Sequence, residues 1–135
     1  MSDQEERPSL MIHGGAGSKI RDEERAAAVE SALVEVRDDL YEMLREGASA
    51  REVVVEGCRR MESNPNFNAG TGSVLQSDGQ IRMSAALMDG AAGSFSGVIN
   101  AQKVEHPIDL AAQLQGERDR VLADDGVTTL LRELD

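Results

Sequence analysis

The residue types best suited to chemistry are concentrated in two glycine-rich segments, of which the first is His13–Gly17 (HGGAG). Because this segment follows an apolar run, its glycines would let the backbone approach a ligand closely. It could therefore hold a phosphate, or it could be a plain tight turn. It lacks both the dinucleotide fingerprint and the Lys-Ser/Thr pair of a phosphate-binding loop. His13 could act as a general base, but such a histidine is more often buried with its hydrogen bonds satisfied.

The second glycine-rich segment, Met61–Gly72 (MESNPNFNAGTG), offers many oxygen atoms. Backbone carbonyls and side-chain oxygens are the ligands that a hard cation prefers. An ordinary ordered loop has the same composition, and composition alone favours that interpretation. Two other candidates have simpler explanations, since Asp89–Gly93 is typical of a turn between strands and Thr128-Thr129 is typical of a helix cap.

The chain by itself contains no complete catalytic set. Its only cysteine, Cys58, excludes an internal disulfide and a thiolate-clustered zinc site. Because Cys58 falls within a helical pattern, we expect a small buried core residue. Neither a Ser-His-Asp or Cys-His arrangement nor an H-E-x-x-H zinc motif can be assembled from the sequence.

Acidic residues outnumber basic ones by 25 to 14, which gives a net charge of −11. Nucleic acids and anionic membrane surfaces attract clusters of basic residues, so this balance argues against both as partners. No stretch approaches the roughly 18 apolar residues of a membrane span. The polar start of the chain does not resemble a secretory signal. We therefore expect a soluble, cytoplasmic protein.

Two helices are predicted between the glycine-rich segments. Asp22 is a candidate N-cap for a helix that ends at Gly47. Its apolar residues recur at spacings of three and four, which gives one apolar face: Val29, Leu33, Val36, Leu40 and Leu44. Ser49 and Glu52 have the spacing of a capping box, which predicts the start of a second helix.

Strands are predicted on either side of these helices. The apolar run Ser9–His13 predicts a buried strand, and three further strands follow in a meander: Ser73–Gln76, Ile81–Met88 and Phe95–Ala101. A helix opened by Pro107 and a short amphipathic piece at Leu130–Leu134 complete the chain. Helices followed by hairpin-linked strands favour an α+β fold. Because both strand faces carry small or apolar residues, we expect the sheet to be covered on both sides.

The ordered combination of motifs resembles a known family. HGGAG, FNAGTG (67–72), SDG (77–79) and MSAALMDG (83–90) occur in the order found in the N-terminal, α-subunit part of plant-type L-asparaginase/isoaspartyl peptidase. This family belongs to the N-terminal-nucleophile (Ntn) hydrolases. The resemblance covers about residues 9–115. Before Pro107, His106 replaces the family's asparagine.

The resemblance implies an αββα four-layer sandwich, of which this chain supplies the α-subunit half. Residues 1–8 would be a disordered leader, and residues 9–135 the α-subunit part of one domain. Family members are made as a precursor that cuts itself before a threonine, which becomes nucleophile and base at the start of the β-subunit. The implied substrates are L-asparagine and β-aspartyl (isoaspartyl) dipeptides. The implied partner is a β-subunit from the same precursor, in an (αβ)2 dimer.

The resemblance places no catalytic residue in this chain. Thr128-Thr129 lies in a helix-like piece and does not match the segment that carries the family's nucleophile. Asp135 could precede the scissile bond, although loss of a linker beyond it fits the family better. By resemblance Gly14, Gly15 and Asn68 form a wall of the active site.

The resemblance also implies a structural Na+ and no organic cofactor. The matching loop would bind the ion mainly through backbone carbonyls, at Met61, Glu62, Asn64, Phe67, Ala69 and Thr71.

Three alternatives remain open at this point. Glycosylasparaginases and threonine-aspartase-like proteases share the general pattern of the family. The chain could also be a non-catalytic, truncated α-half that acts as a binding domain. A nucleotide-binding α/β protein that uses the HGGAG loop is disfavoured by the missing lysine and ribose-binding acid.

Overall fold

Two long helices precede a small sheet in the computed structural model, which describes residues 7–17 and 19–134. The helices are α1 (Glu23–Arg45), α2 (Ala50–Ser63), α3 (Pro107–Gln113) and α4 (Asp125–Leu134). The strands are β1 (Met83–Asp89), β2 (Ser94–Ala101) and β3 (Val121–Ala123), and single 3-10 turns cover Gly70–Gly72 and Leu114–Gly116. The mixed α+β class is confirmed. Except for Arg7 and Pro8, the predicted leader lies outside the described residues, as does Asp135.

Local capping fixes where the two long helices begin, as the sequence predicted. Asp22 accepts a hydrogen bond from the Arg25 amide at 2.7 Å. At α2, the Ser49 hydroxyl accepts from the Glu52 amide at 3.2 Å, and the Glu52 carboxylate accepts from the Ser49 amide at 2.8 Å. This reciprocal pair satisfies two amides that a helix N-terminus would leave unpaired. Hydrogen bonding by Ser49 also lowers the pKa of Glu52.

Helices α1 and α2 pack through a small apolar cluster. Val36 and Leu40 of α1 and Val53 of α2 are buried together, with Leu10 and Ile12 of the N-terminal segment packed against them. Gly57 allows a close approach, since a Cβ at this position would lie 2.8 Å from a methyl carbon of Leu40. The two helices thus form one layer that also carries the segment leading to His13–Gly17.

The sheet has the order β1-β2-β3, with β1 antiparallel and β3 parallel to β2. Helices α3 and α4 cover one face, where Val98, Leu110 and Val127 belong to one apolar cluster and Leu87 and Ile108 to another. Val55 of α2 packs against the second cluster, which joins the layer of α1 and α2 to the sheet layer.

Buried polar groups connect the hairpin to the layer that covers it. The Gln115 amide group donates to the Leu87 carbonyl at 2.8 Å and to the Ser96 hydroxyl at 2.9 Å. Its carbonyl oxygen accepts a hydrogen bond from the Ser94 hydroxyl, and Ser96 donates in turn to the Ala111 carbonyl. Among the described residues, no buried side-chain nitrogen or oxygen lacks a partner.

The other face of the sheet is apolar and exposed. Met88 is 72% exposed, Phe95 53%, Val121 50% and Ile99 47%. Pairing brings these residues together, because Met88 is opposite Phe95 and Val121 pairs with Gly97, which lies between Phe95 and Ile99 on β2. The expectation of cover on both faces is therefore wrong for the part of the chain described here.

Two predicted strands are wrong, because a strand needs a hydrogen-bonded neighbour. Ser9–His13 is not a strand, and no described residue pairs with it. Ser73–Gln76 is irregular, although the predicted turn follows it, with the Gly79 amide donating to the Gln76 carbonyl at 2.8 Å. The short β3 was not predicted, because its three residues carry little periodic signal and its partner β2 is distant in sequence.

Two further side-chain predictions are wrong. Cys58 is exposed, because it lies on a part of the α2 surface that α1 does not cover. Helix α4 begins at Asp125, so Thr128 and Thr129 lie inside the helix and do not cap it. Their hydroxyls donate to carbonyls one turn earlier, at 3.2 and 2.9 Å, a bonding pattern that satisfies threonine within a helix.

Leu40→Ala tests the packing of α1 against α2. Leu40 is 1% exposed, so its truncation should cost about 2–5 kcal/mol of unfolding free energy. Val34→Ala is the matched control on the more exposed side of the same helix and should cost no more than about 0.5 kcal/mol. Urea denaturation of both variants measures the difference, and equal losses would contradict the packing described.

Candidate functional site

The second glycine-rich segment forms a compact loop at the end of α2. The Asn64 amide donates to the Met61 carbonyl at 3.2 Å and the Phe67 amide to the Asn64 carbonyl at 3.2 Å. The Asn64 side chain accepts from the Asn66 amide at 2.9 Å. The Phe67 ring is 3% exposed and anchors the loop. Short-range hydrogen bonds and one buried aromatic side chain therefore stabilise this loop.

Glycines let the returning limb of this loop lie directly on the outgoing limb. A Cβ at Gly70 would lie 2.1 Å from the Glu62 carbonyl oxygen, and a Cβ at Gly72 would lie 2.1 Å from that of Phe67. Gly70 also has a φ of 50°, in the left-handed region that favours glycine. Backbone oxygens of the first limb are thus held against the second limb, with no side chain between them.

The two glycine-rich segments meet at Phe67. A Cβ at Gly14 would lie 3.1 Å from the Phe67 ring and 3.0 Å from Leu33, so Gly14 is in close contact with both side chains. Gly15 follows with a φ of 114° and open space around it. Its amide donates to Nδ1 of His13 at 3.2 Å. The prediction of a buried histidine is wrong, since His13 is exposed.

Asn68 lies on the exposed side of the loop. Its Oδ1 accepts a hydrogen bond from the Val74 amide at 2.9 Å, which leaves the side-chain NH2 as the donor group that can act on another molecule. Asn68 lines a cavity of about 380 Å3 together with Glu62, Gly70, Ser73 and Arg82, among others. The structure therefore brings Asn68 near the loop backbone but does not bring it into a catalytic set within the described residues.

Arg82 borders the same cavity and is fixed by an ion pair. Its Nη2 lies 2.8 Å from an Asp78 carboxylate oxygen, so the turn before β1 holds the guanidinium in place. The hydrogen bond from Arg82 keeps the pKa of Asp78 below its usual range, and the same bond raises the pKa of Arg82. Sequence reasoning identified this turn but not the ion pair.

The sequence pointed to the backbone carbonyl of Glu62 but not to its carboxylate, which is buried and hydrogen-bonded. Glu62 is 6% exposed. Its Oε2 lies 3.2 Å from Nδ1 of His106, and its Oε1 accepts from the Ile108 amide at 3.2 Å. Burial raises the pKa of Glu62, while the hydrogen bonds from Ile108 and His106 oppose that shift. No sequence signal pointed to this pair, because Glu62 and His106 are 44 residues apart.

Side-chain ligands for a metal are not clustered in the part of the chain that the structure describes. No group of three or more His, Cys, Asp or Glu residues there could hold an ion. The loop carbonyls are the remaining donors, and among the described residues no hydrogen bond reaches those of Glu62, Phe67 and Thr71. Within the same residues, no helix combines the length and apolar character needed to cross a bilayer.

Comparison with known proteins agrees with the motif order. The family model described as "Asparaginase" matches residues 6–135. The "Isoaspartyl peptidase/L-asparaginase" of Nostoc sp. is 54% identical over 128 residues, which cover 95% of this chain and 40% of the relative. The "Plant-type L-asparaginase" of Pyrococcus horikoshii is 40% identical over 114 residues, which cover 84% of this chain and 37% of the relative. An "Isoaspartyl peptidase/L-asparaginase" of Danio rerio is 40% identical over 106 residues, 77% of this chain and 33% of the relative.

The chain belongs to the asparaginase family, and the resemblance inferred from the motifs is confirmed. It spans about a third to two fifths of the length of these relatives.

Gly70→Ala tests the contact between the two limbs of the loop. Its matched control is Gly79→Ala, because both glycines have positive φ but a Cβ at Gly79 would meet nothing within 4 Å. The control should therefore lose only the left-handed backbone term, about 1–2 kcal/mol. Gly70→Ala should lose more and expose the loop, because the new methyl group meets the Glu62 carbonyl. Thermal unfolding and limited proteolysis measure both effects, and equal behaviour of the variants would rule out the close contact.

Proposed function

We propose that this chain is the α-subunit part of a threonine-nucleophile amidohydrolase that acts on L-asparagine, β-aspartyl dipeptides or both. The nucleophilic threonine would begin a β-subunit from the same precursor. The observation that carries the proposal is the contact of Gly14 with Phe67, because it joins the two family motifs into one surface beside Asn68. The names of the relatives supply the substrate classes.

The proposed reaction is acyl transfer through an ester. The threonine oxygen attacks the side-chain amide carbon of asparagine, or the isopeptide carbon of the dipeptide, and its proton passes to the threonine α-amine. The tetrahedral oxyanion collapses with loss of ammonia or an amino acid, which takes up that proton. Water then hydrolyses the β-aspartyl ester and restores the free threonine.

In this mechanism Gly14, Gly15 and Asn68 form a wall of the active site. The backbone of Gly14 and Gly15 would lie near the oxyanion and the nucleophile, where preorganised donors stabilise developing charge. The NH2 group of Asn68 would position the threonine, since its Oδ1 already accepts from Val74.

The exposed apolar face of the sheet supports the proposed four-layer sandwich. Met88, Phe95, Ile99 and Val121 form a contiguous surface of the kind that a second sheet covers in a sandwich. The chain spans only about two fifths of its relatives' length, so the missing length could supply that sheet. We propose that this occupant is the β-subunit, and that two αβ units form the dimer.

A structural Na+ in the loop at residues 61–71 is part of the proposal. Support comes from the free carbonyls of Glu62, Phe67 and Thr71 and from the glycines that bring the two limbs together. Main-chain carbonyl oxygens are ligands that a hard cation prefers. A site made of them needs no charged side chain. The other proposed ligands are the carbonyls of Met61, Asn64 and Ala69. Bound Na+ would order the backbone that carries Asn68.

Intact-mass analysis and activity assays of the full-length protein that contains this chain test the proposed function. We expect two chains. The N-terminal chain should contain this sequence, and the second chain should begin with threonine. The mixture should release ammonia from L-asparagine or aspartate from β-aspartyl dipeptides. A single uncut species that is inert towards both substrate classes would overturn the proposal and favour a non-catalytic binding role.

Replacement of Na+ by choline at constant ionic strength tests the cation site. Because an ion that binds only the folded state stabilises it by mass action, the thermal midpoint should fall in choline and return when Na+ is restored. Activity should fall in parallel, since Asn68 lies on the same loop. An unchanged midpoint across the exchange would refute the sodium site while leaving the hydrolase proposal intact.

A further inference from the structure

A buried side chain at the start of the loop at residues 61–72 ties the loop to the sheet layer. The attachment is the Glu62 carboxylate, whose two oxygens have different partners. One lies 3.2 Å from Nδ1 of His106, and the other accepts from the Ile108 amide at 3.2 Å. Both partners are at the start of α3, which packs on β1 through Ile108 and Ala111. Glu62 therefore connects the end of α2 to the sheet layer.

The same residue contacts the loop through its backbone. Its carbonyl group faces Gly70, with the oxygen 2.1 Å and the carbon 2.7 Å from where a Cβ would be. Because Gly70 follows Asn68 and Ala69 directly, its contact with the Glu62 backbone restricts where these residues can lie. The carboxylate of Glu62 thus binds the start of α3, while its carbonyl contacts the returning limb of the loop at Gly70.

Burying a carboxylate is costly unless it is hydrogen-bonded, so an interaction of this kind persists only where its geometry is held on all sides. Glu62 is 6% exposed, and its side chain has both of its oxygens occupied. Burial raises the pKa of Glu62, and like-charge repulsion from Asp109 acts in the same direction.

We infer that Glu62 is a positioning residue: its carboxylate, held by His106 and the Ile108 amide, sets the Glu62 carbonyl and the Gly70 limb in the arrangement that binds the loop cation and places Asn68. This inference rests on the proposed function, because it assigns a role within the proposed sodium site. It goes beyond that site, since the side chain of Glu62 is not a ligand in it.

Sodium titrations of Glu62 variants test this role in the full-length protein. The thermal midpoint is followed as Na+ replaces choline at constant ionic strength, which reports on the ion without relying on activity. In Glu62→Ala the sodium concentration giving half of the stabilisation should rise at least about tenfold, equivalent to about 1.4 kcal/mol. Glu62→Gln should remain close to wild type, because its amide oxygen can accept from Ile108 and its NH2 can donate to His106.

Gln115→Ala is the matched control for simple destabilisation. Gln115 is also 6% exposed and hydrogen-bonded on both sides of its amide, but its partners lie in the hairpin and not in the loop. It should lower the thermal midpoint without changing the sodium concentration for half-stabilisation. If Glu62→Ala yields no folded protein, His106→Ala removes one of the two partners and should shift the sodium dependence in the same direction.

The outcomes separate the two proposals. A wild-type protein that responds to Na+ while Glu62→Ala responds at the same concentration would overturn the positioning role and leave the sodium site standing. A shift of equal size in Gln115→Ala would also overturn it, because general loosening would then explain both. A wild-type protein that does not respond to Na+ would refute the sodium site itself, and the role of Glu62 with it.

Discussion

The close contact between Gly70 and the Glu62 carbonyl is the constraint on which the candidate site depends. A loop that closes backbone against backbone leaves no room for a Cβ at either contact, so its glycines are required by space and, at Gly70, by φ as well. The oxygen atoms at these two contacts belong to main-chain carbonyls, whose positions follow from backbone conformation. Its chemistry therefore depends on shape more than on side-chain identity.

Phe67 transmits the position of this loop to the N-terminal part of the chain. Its ring is buried and contacts Gly14, and Leu33 of α1 contacts the same glycine. The layer of α1 and α2 thus holds His13–Gly17 and the loop at residues 61–72 at a fixed separation. In the proposed mechanism both segments belong to one wall of the active site, and this contact sets the spacing between them.

The features that could be predicted from the sequence are those fixed by near neighbours. The capping residues Asp22 and Ser49 act within one helical turn, and the hairpin of β1 and β2 is joined by a short turn. The run at Ser9–His13 resembles a strand in isolation, but strand formation depends on a partner that the described residues do not supply. The side-chain role of Glu62 was hidden for a related reason, since its partner His106 is 44 positions away.

The buried hydrogen bonds of Gln115 have a consequence for strand alignment. Ser94 and Ser96 face the same covered side of β2, and Gln115 bonds to both of them and to the Leu87 carbonyl of β1. A slip of one residue would turn these hydroxyls outward and bring Phe95 against the amide, which would leave buried polar groups unpaired. The network thus penalises a one-residue slip of the hairpin and helps to fix its native register.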